Sequence, residues 1–196
     1  MNAFFHFSLP IATANGTGEY PLWDFLSLNM SNSVIVSLQI PYSNKNTWFR
    51  SFKVMPRAQD SCAYVNAGFC MEVDPSNHIV KSIPSFVFGG VKEHTISASS
   101  TEAYMLGKCV LDVKVLKNAL HILDNEIEPN VTPGAASVEF RKNCVLSLFY
   151  KFILATIEDK IDSKYKSAAI QYIRPVSKGS QSYDTDSSLY LSLIHI

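Results

Sequence analysis

The hydrophobic repeat of this chain changes once, at about residue 100, from a period of two residues to a helical period. Before that point, residues 63–73 alternate in character, with Val65, Phe69 and Val73 on one face, as a half-buried strand requires. After it, residues 112–127 carry apolar side chains every three or four positions, as an amphipathic helix does. Strands followed by helices are typical of an α+β fold, in which helices cover an antiparallel sheet.

Four runs of alternating or β-branched residues predict the strands of that sheet. They span residues 34–40, 47–55, 63–73 and 79–88. Turn chemistry follows the third run at 74–77 and the fourth at Gly89 and Gly90. Pro84 marks a bulge or an edge, because proline cannot donate to a ladder of hydrogen bonds. We therefore predict a three- to four-stranded antiparallel sheet.

Three helices are predicted after the strands, at residues 101–107, 112–127 and 138–161. Ser99 or Ser100 is available as the N-cap of the first, and Asp112 lies near the positive end of the second. The third carries an aromatic stripe that is typical of a protein core. From residue 162 onward the sequence is polar and rich in serine, which indicates an irregular C-terminal linker. The predicted fold is thus α+β, with helices packed on one face of the sheet.

The charge of the chain excludes several classes of protein. Seventeen basic and seventeen acidic residues cancel, which argues against nucleic-acid binding, since no excess of cations is available to replace phosphate counterions. The longest apolar stretch, residues 145–155, falls well short of the roughly 18 residues that a membrane span needs. Only 17% of the residues are charged, against roughly 25% in ordinary soluble domains, so another protein is one candidate cover for the surface.

Metal and disulfide chemistry are not indicated by the spacing of cysteine and histidine. The four cysteines form no C-x-x-C pair, and the five histidines form no pair at i, i+4, so we predict no metal site and reduced thiols in the cytoplasm. Asn15, Asn29 and Asn130 each begin an N-x-S/T sequon, which leaves a secreted glycoprotein as an alternative. Against secretion, the first residues carry no lysine or arginine, as a signal peptide would.

No catalytic motif is present: the chain contains no G-x-S-x-G, no Walker loop and no G-x-G-x-x-G. Catalytic residues are therefore predicted to be absent from it. Two residues are candidates for a cofactor contact. Ile35 is an apolar residue on the otherwise polar face of run 34–40, and Lys53 is a lone cation on the run that follows it. The alternatives are a strand covered on both sides and an ordinary exposed lysine.

Three strings, in order, resemble the molybdenum hydroxylases, the family of xanthine dehydrogenase and aldehyde oxidase. Residues 34–71, VIVSLQIPYSNKNTWFRSFKVMPRAQDSCAYVNAGFCM, resemble the C-terminal half of the flavin domain. Residues 140–155, FRKNCVLSLFYKFILA, are similar to its closing helix, and residues 165–186 to the connector toward the molybdenum part. The likeness implies a flavin-domain half at 22–161 and a connector at 162–190. Residues 1–21 match poorly, and the tail 191–196 departs from the family pattern.

The resemblance implies an FAD site to which this chain contributes a part. Ile35 matches the aliphatic position that packs on the flavin, Lys53 matches a lysine that contacts FAD, and Asp60 falls in the mobile loop beside the flavin ring. That loop, residues 56–61, keeps only Arg57 and Asp60 as charges, which resembles the aldehyde oxidase branch more than the xanthine dehydrogenase branch. The implied reaction is oxidation of an aldehyde to an acid at molybdenum, with electrons passing through iron–sulfur clusters and FAD to dioxygen.

Other domains of such an enzyme are expected outside this chain. The iron–sulfur domains of the family need eight cysteine ligands, and the chain has four cysteines. The flavin pyrophosphate loop and the molybdopterin domains are not matched either. We therefore expect a fragment without turnover of its own, whose partners are FAD and the remaining domains of a homodimeric enzyme. The alternatives are a xanthine dehydrogenase-type fragment and a non-catalytic binding or scaffold protein.

Overall fold

The computed structural model describes residues 8–25, 27–40, 42–57, 60–132 and 134–166. In chain order the strands are β1 (Ser8–Thr13), β2 (Gly16–Pro21), β3 (Ser33–Ile35), β4 (Thr47–Val54), β5 (Val65–Glu72), β6 (Ser85–Gly89) and β7 (Ile96–Ser97). The helices are α1 (Leu22–Phe25), α2 (Ser99–Met105), α3 (Val113–Glu126) and α4 (Val138–Thr156), and two 3₁₀ turns follow, at Glu158–Lys160 and Ser163–Tyr165. No helix among these residues is long and apolar enough to cross a membrane.

Four strands form the central antiparallel sheet, in the order β4-β5-β6-β7. The register places Phe52 opposite Ala67 and Ala67 opposite Phe88, so that these three side chains share one face. On β5 the same face carries Val65 and Phe69, both fully buried. The alternation predicted for residues 63–73 is therefore confirmed in the central strand.

The core lies between that face, here called the inner face, and the helices. Phe69 is at its centre, with ring centroids of Phe86, Phe88, Phe149 and Phe152 between 5.1 and 6.3 Å away. These phenylalanines come from β5, β6 and α4, so α4 packs directly on the sheet. Aromatic rings at such distances add roughly 0.5–1.5 kcal/mol per pair beyond the burial of their area. The prediction of an α+β fold with helices on one face is confirmed.

A second, three-stranded antiparallel sheet has the order β2-β1-β3 and contains the residues that the sequence left unassigned. Leu9 and Ile11 of β1 are buried there, apart from the main core. The predicted strand 34–40 belongs to this sheet, not to the central one. Its regular pairing ends at Ile35, although the amide of Gln39 still donates to the carbonyl of Ser8 at 3.0 Å.

The central sheet thus takes its fourth strand from β7, which was not predicted. Run 79–88 contributes its last residues to β6, and Val80 makes an isolated bridge to Val73 before Pro84 interrupts the strand. The two residues of β7 pair with Val87 and Phe88. A strand of two residues is too short to give an alternating pattern.

Helix ends differ from the predictions by a few residues. Asp112 is the N-cap of α3, where its carboxylate accepts a hydrogen bond from the amide of Lys114 at 2.8 Å. The first turn of α2 has no side-chain cap of its own; instead the carboxylate of Glu126 accepts from the amides of Ser100 and Thr101. α4 ends at Thr156, earlier than predicted. The connector is described as far as residue 166, and the tail 191–196 lies outside the described residues.

Candidate cofactor-binding site

The face of the central sheet that points away from the core, here called the outer face, is built differently. Two register rows define it: Ser51, Gly68 and Val87 lie in one, and Lys53, Asn66 and Gly89 in the next. Their side chains are small, polar or charged, apart from Val87. Phe49, on the same face of β4, is 51% exposed, whereas Trp48 and Phe52 on the inner face are partly buried and pack against the core. Among the described residues, the hydrophobic core thus occupies one side of this sheet.

Gly68 marks the middle of the outer face. A Cβ atom placed on it would have no heavy atom within 4 Å apart from its chain neighbours. The position therefore does not need glycine for packing within this chain, and the absent side chain leaves a flat, accessible patch of backbone between Ser51 and Val87.

Lys53 lies at one end of that patch. Its strand neighbour is Asn66, both side chains are exposed, and no carboxylate oxygen of the described residues lies within 4.0 Å of its ammonium group. A cation without an ion pair beside an open sheet face can donate to an anionic or carbonyl group of a ligand.

A cavity of about 730 Å³ adjoins the same end of the sheet. Its walls come from the segments that leave β4 and β6, from the segment that enters β5 and from the loop between α3 and α4; they include Pro56, Tyr64, Gly90 and Asn130. The amide of Tyr64 donates to the carbonyl of Val54 at 2.8 Å, which ties this wall to the strand of Lys53. The volume lies within the range of roughly 300–1,000 Å³ that is common for small-molecule sites.

Gly90 allows two cavity walls to approach each other closely. Its φ is +77°, and a Cβ atom there would lie 2.6 Å from the carbonyl oxygen of Tyr64. Both the positive φ and the close approach require glycine. This gives a structural reason for the second residue of the Gly89-Gly90 pair.

Asp60 belongs to the loop at the rim of the cavity, next to Ser61 in its wall. Its φ is +46°, and its backbone carbonyl accepts a hydrogen bond of 2.7 Å from Nη2 of Arg57. The Asp60 side chain is exposed. Lys53 and Asp60 are thus placed toward the same end of the central sheet.

Ile35 is placed differently, because it lies on β3 in the three-stranded sheet and pairs with Ile11. The expectation that Ile35 and Lys53 lie on neighbouring strands is wrong, since their strands belong to separate sheets. Ile35 is 43% exposed, and Val34 and Val36 beside it are more exposed still. An apolar surface is therefore available at Ile35.

Sequence reasoning missed Arg141, the buried cation of this region. It lines the cavity from the first turn of α4 and is only 3% exposed. Arg141 is followed by Lys142 in a helix that also carries Glu139 and Lys151, and no motif in this segment could have revealed its role.

The thiols give no sign of a metal or nucleophilic site. Burial, and next to it the negative charge of Glu72, raises the pKa of Cys70 to about 11, and burial also raises the pKa of Cys144. Raised values keep both thiols protonated and unreactive at neutral pH. Within the described part of the chain, no three His, Cys, Asp or Glu side chains cluster as metal ligands would.

Residues 50–156, more than half of the chain, match the family described as the CO dehydrogenase flavoprotein C-terminal domain. This range contains Lys53, Asp60 and the cavity walls, whereas Ile35 precedes it. The match confirms the resemblance to the flavin domain of the molybdenum hydroxylases.

Relatives and solved structures agree with that match. The chain is 30% identical over 152 residues to xanthine dehydrogenase of Emericella nidulans and 26% identical over 156 residues to aldehyde oxidase 3 of Rattus norvegicus. Each comparison covers 76% of this chain, but the chain spans only 11% and 12% of those two proteins. Quinoline 2-oxidoreductase from Pseudomonas putida 86 has the same fold, with a TM-score of 0.64 at 18% identity, over 80% of this chain and 54% of the solved one.

Proposed function

Since the chain belongs to the CO dehydrogenase flavoprotein C-terminal domain family, we propose that it forms one side of an FAD site in a molybdenum hydroxylase. The single observation that carries this proposal is the outer face of the central sheet, which is open at Gly68 and ends at Lys53, a cation that has no ion pair among the described residues. The inner face of the same strands is fully occupied by the core, so only the outer face is available to a ligand there.

The residues on this face fit a flavin. A planar ring needs a flat surface with some apolar contact and donors at its edge. Gly68 provides the flat backbone, Val87 provides apolar contact, and Lys53 and Asn66 provide donors. Ile35 adds apolar surface from the three-stranded sheet.

When bound, FAD supplies two-electron redox chemistry that no side chain provides. The role of this chain is to bind and orient the cofactor and to exclude water from it. Lys53 would donate hydrogen bonds to an acceptor on the cofactor and stabilise negative charge there, because its ammonium group pairs with no carboxylate of the described residues. Residues 22–161 form the flavin-domain half and 162–190 the connector. The iron–sulfur and molybdopterin centres belong to other domains of a cytoplasmic, homodimeric enzyme.

Titration of the full chain with FAD tests this role. We expect saturable binding in the wild type and affinity about tenfold weaker in Lys53→Gln, because a hydrogen bond to a charged group contributes roughly 1.5–3 kcal/mol. The matched control is Lys117→Gln, which removes an exposed lysine from α3 and should leave the affinity unchanged. Absence of FAD binding, or equal affinities of the two variants, would refute the assignment and favour a scaffold protein that keeps the fold.

We also propose that the enzyme is of the aldehyde oxidase type, which passes electrons to dioxygen and oxidises aldehydes to acids. Support comes from the loop at the cavity rim, where Arg57 and Asp60 are the only charges in residues 56–61. The Arg57 guanidinium is engaged with the Asp60 carbonyl, which leaves the Asp60 carboxylate exposed at the rim.

Anaerobic addition of NADH to the FAD-loaded chain tests the branch. An oxidase-type site should leave the visible flavin absorbance unchanged over minutes, because it is not built to take a hydride from NADH. Dithionite serves as the control, since it must bleach the same sample. Bleaching by NADH at a comparable rate would assign the chain to the xanthine dehydrogenase type instead.

A further inference from the structure

The guanidinium of Arg141 bonds to four backbone carbonyls and to no carboxylate. Nε donates to Ala136 at 3.0 Å, Nη1 donates to Gly90 at 2.9 Å and to Val91 at 3.5 Å, and Nη2 donates to Asn130. Among the described residues, no Asp or Glu oxygen lies within ion-pair distance of this group. A buried cation is here satisfied entirely by backbone dipoles.

The position of Arg141 is not explained by the stability of its own helix. It lies in the first turn of α4, where the helix dipole is positive and disfavours a cation. Ser137 already caps that turn by accepting from the amide of Phe140 at 3.1 Å. The charge of Arg141 is unfavourable for the dipole of its own helix, and its hydrogen bonds stabilise the surrounding loops instead.

Those loops are the walls of the cavity beside Lys53. Gly90 and Val91 lie just after β6, whereas Asn130 and Ala136 lie in the connection between α3 and α4. The two loops also meet directly, because the amide of Asn130 donates to the carbonyl of Val91 at 2.9 Å. Arg141 therefore joins two cavity walls that are about 40 residues apart in the sequence.

We propose that Arg141 is a positioning residue that fixes the walls of this cavity and thereby controls the access of small solutes to the cofactor edge near Lys53. The second part of this inference rests on the proposed FAD site, whereas the first does not. Several charge-assisted hydrogen bonds to one rigid, planar group hold carbonyls more precisely than a flexible ammonium group can.

Hydrogen exchange of the full chain, measured by mass spectrometry, tests the first part without any cofactor. Arg141→Met keeps an unbranched, flexible side chain, although a shorter one, and removes all of its donors. We expect exchange in the loops around Val91 and Asn130 to become at least tenfold faster, with β5 unchanged, because the carbonyls of these loops lose the charged donors that hold them. Lys142→Met removes the neighbouring cation, which pairs with Asp124 at 3.2 Å, and should leave these loops unchanged.

Faster exchange spread evenly over β5 and the loops would overturn the inference, since it would show a role in global stability alone; unchanged exchange in the loops would overturn it as well. If Arg141→Met does not fold, Arg141→Lys decides, because lysine keeps the charge and reaches fewer carbonyls. It should loosen the same two loops to a lesser degree, and unchanged loops there would again contradict the proposal.

The rate at which dithionite bleaches bound FAD tests the second part. We expect a several-fold faster reaction in Arg141→Met than in wild type, with Lys142→Met equal to wild type. Equal rates in all three, together with loosened loops, would overturn the role in access. Failure of the wild type to bind FAD would refute the proposed function and leave the exchange result on Arg141 standing.

Discussion

The two faces of the central sheet come from the same strands and have different compositions. On β5, Phe69 points into the core and is fully buried, whereas a Cβ atom at its neighbour Gly68 would point outward and have no heavy atom of the described residues within 4 Å apart from its chain neighbours. On β4, Phe52 packs against Phe69 at 5.8 Å, whereas Phe49 on the other face is half exposed. Strand alternation thus places the residues that build the core on one face and more exposed residues on the other.

This separation predicts that substitutions on the inner face change mainly the stability of the domain, whereas substitutions on the outer face change mainly ligand binding. Side chains on opposite faces of a sheet do not contact each other, so a substitution on one face affects the other face mainly through the backbone. Matched substitutions on both faces measure how complete the separation is.

The largest expected effect is on the inner face. Phe69→Ala should lower the free energy of unfolding by about 3–5 kcal/mol, because it opens a cavity among five neighbouring rings. The measurement is urea unfolding of the full chain followed by circular dichroism.

Phe49→Ala is the matched control, since it removes the same ring from the outer face of β4. We expect a loss of less than about 1 kcal/mol there, because that ring is already half in water. Equal losses in the two variants would show that the outer face is packed as tightly as the core.

The sequence predicted the parts of the fold that depend on local pattern. The core face of β5 and the start of α3 at Asp112 follow from alternation, helical spacing and capping, which all act within a few residues. The cap of α2 could not be predicted, because Glu126 supplies it from about 25 residues away. The sequence also could not predict that β7, and not the run 34–40, is the fourth strand of the central sheet.

The candidate site depends even more on distant contacts. Lys53 was noticeable as a lone cation in a strand, and the resemblance to a flavin domain drew attention to Asp60. The cavity at that end of the sheet is lined by several distant chain segments, and Arg141 in its wall bonds to carbonyls whose positions no side-chain pattern records. Ile35 was singled out as an apolar residue on an otherwise polar face, and its contact with a cofactor stays a prediction. Its sheet was assigned wrongly, because pairing partners are not visible in a single strand.

Cys70 qualifies the contrast between the two faces. It points outward, between Phe49 and Ser85, yet it is buried, and its pKa is raised to about 11 by that burial and by Glu72. At pH 8 the shift from the usual value of 9.0 makes its thiolate about 100-fold rarer, so alkylation by iodoacetamide should be at least that much slower than at the exposed Cys62.

Peptide mass mapping of the alkylated chain measures both rates in one sample. Because the folded state raises this pKa, the stability that protonated Cys70 contributes is complete below pH 9 and is lost as the pH rises toward 11. Alkylation of Cys70 should therefore accelerate steeply between pH 9 and pH 11, while Cys62 serves as the internal reference. Equal rates at the two thiols at pH 8 would contradict the burial of Cys70 and would make the outer face open along its whole length, from Lys53 to Glu72.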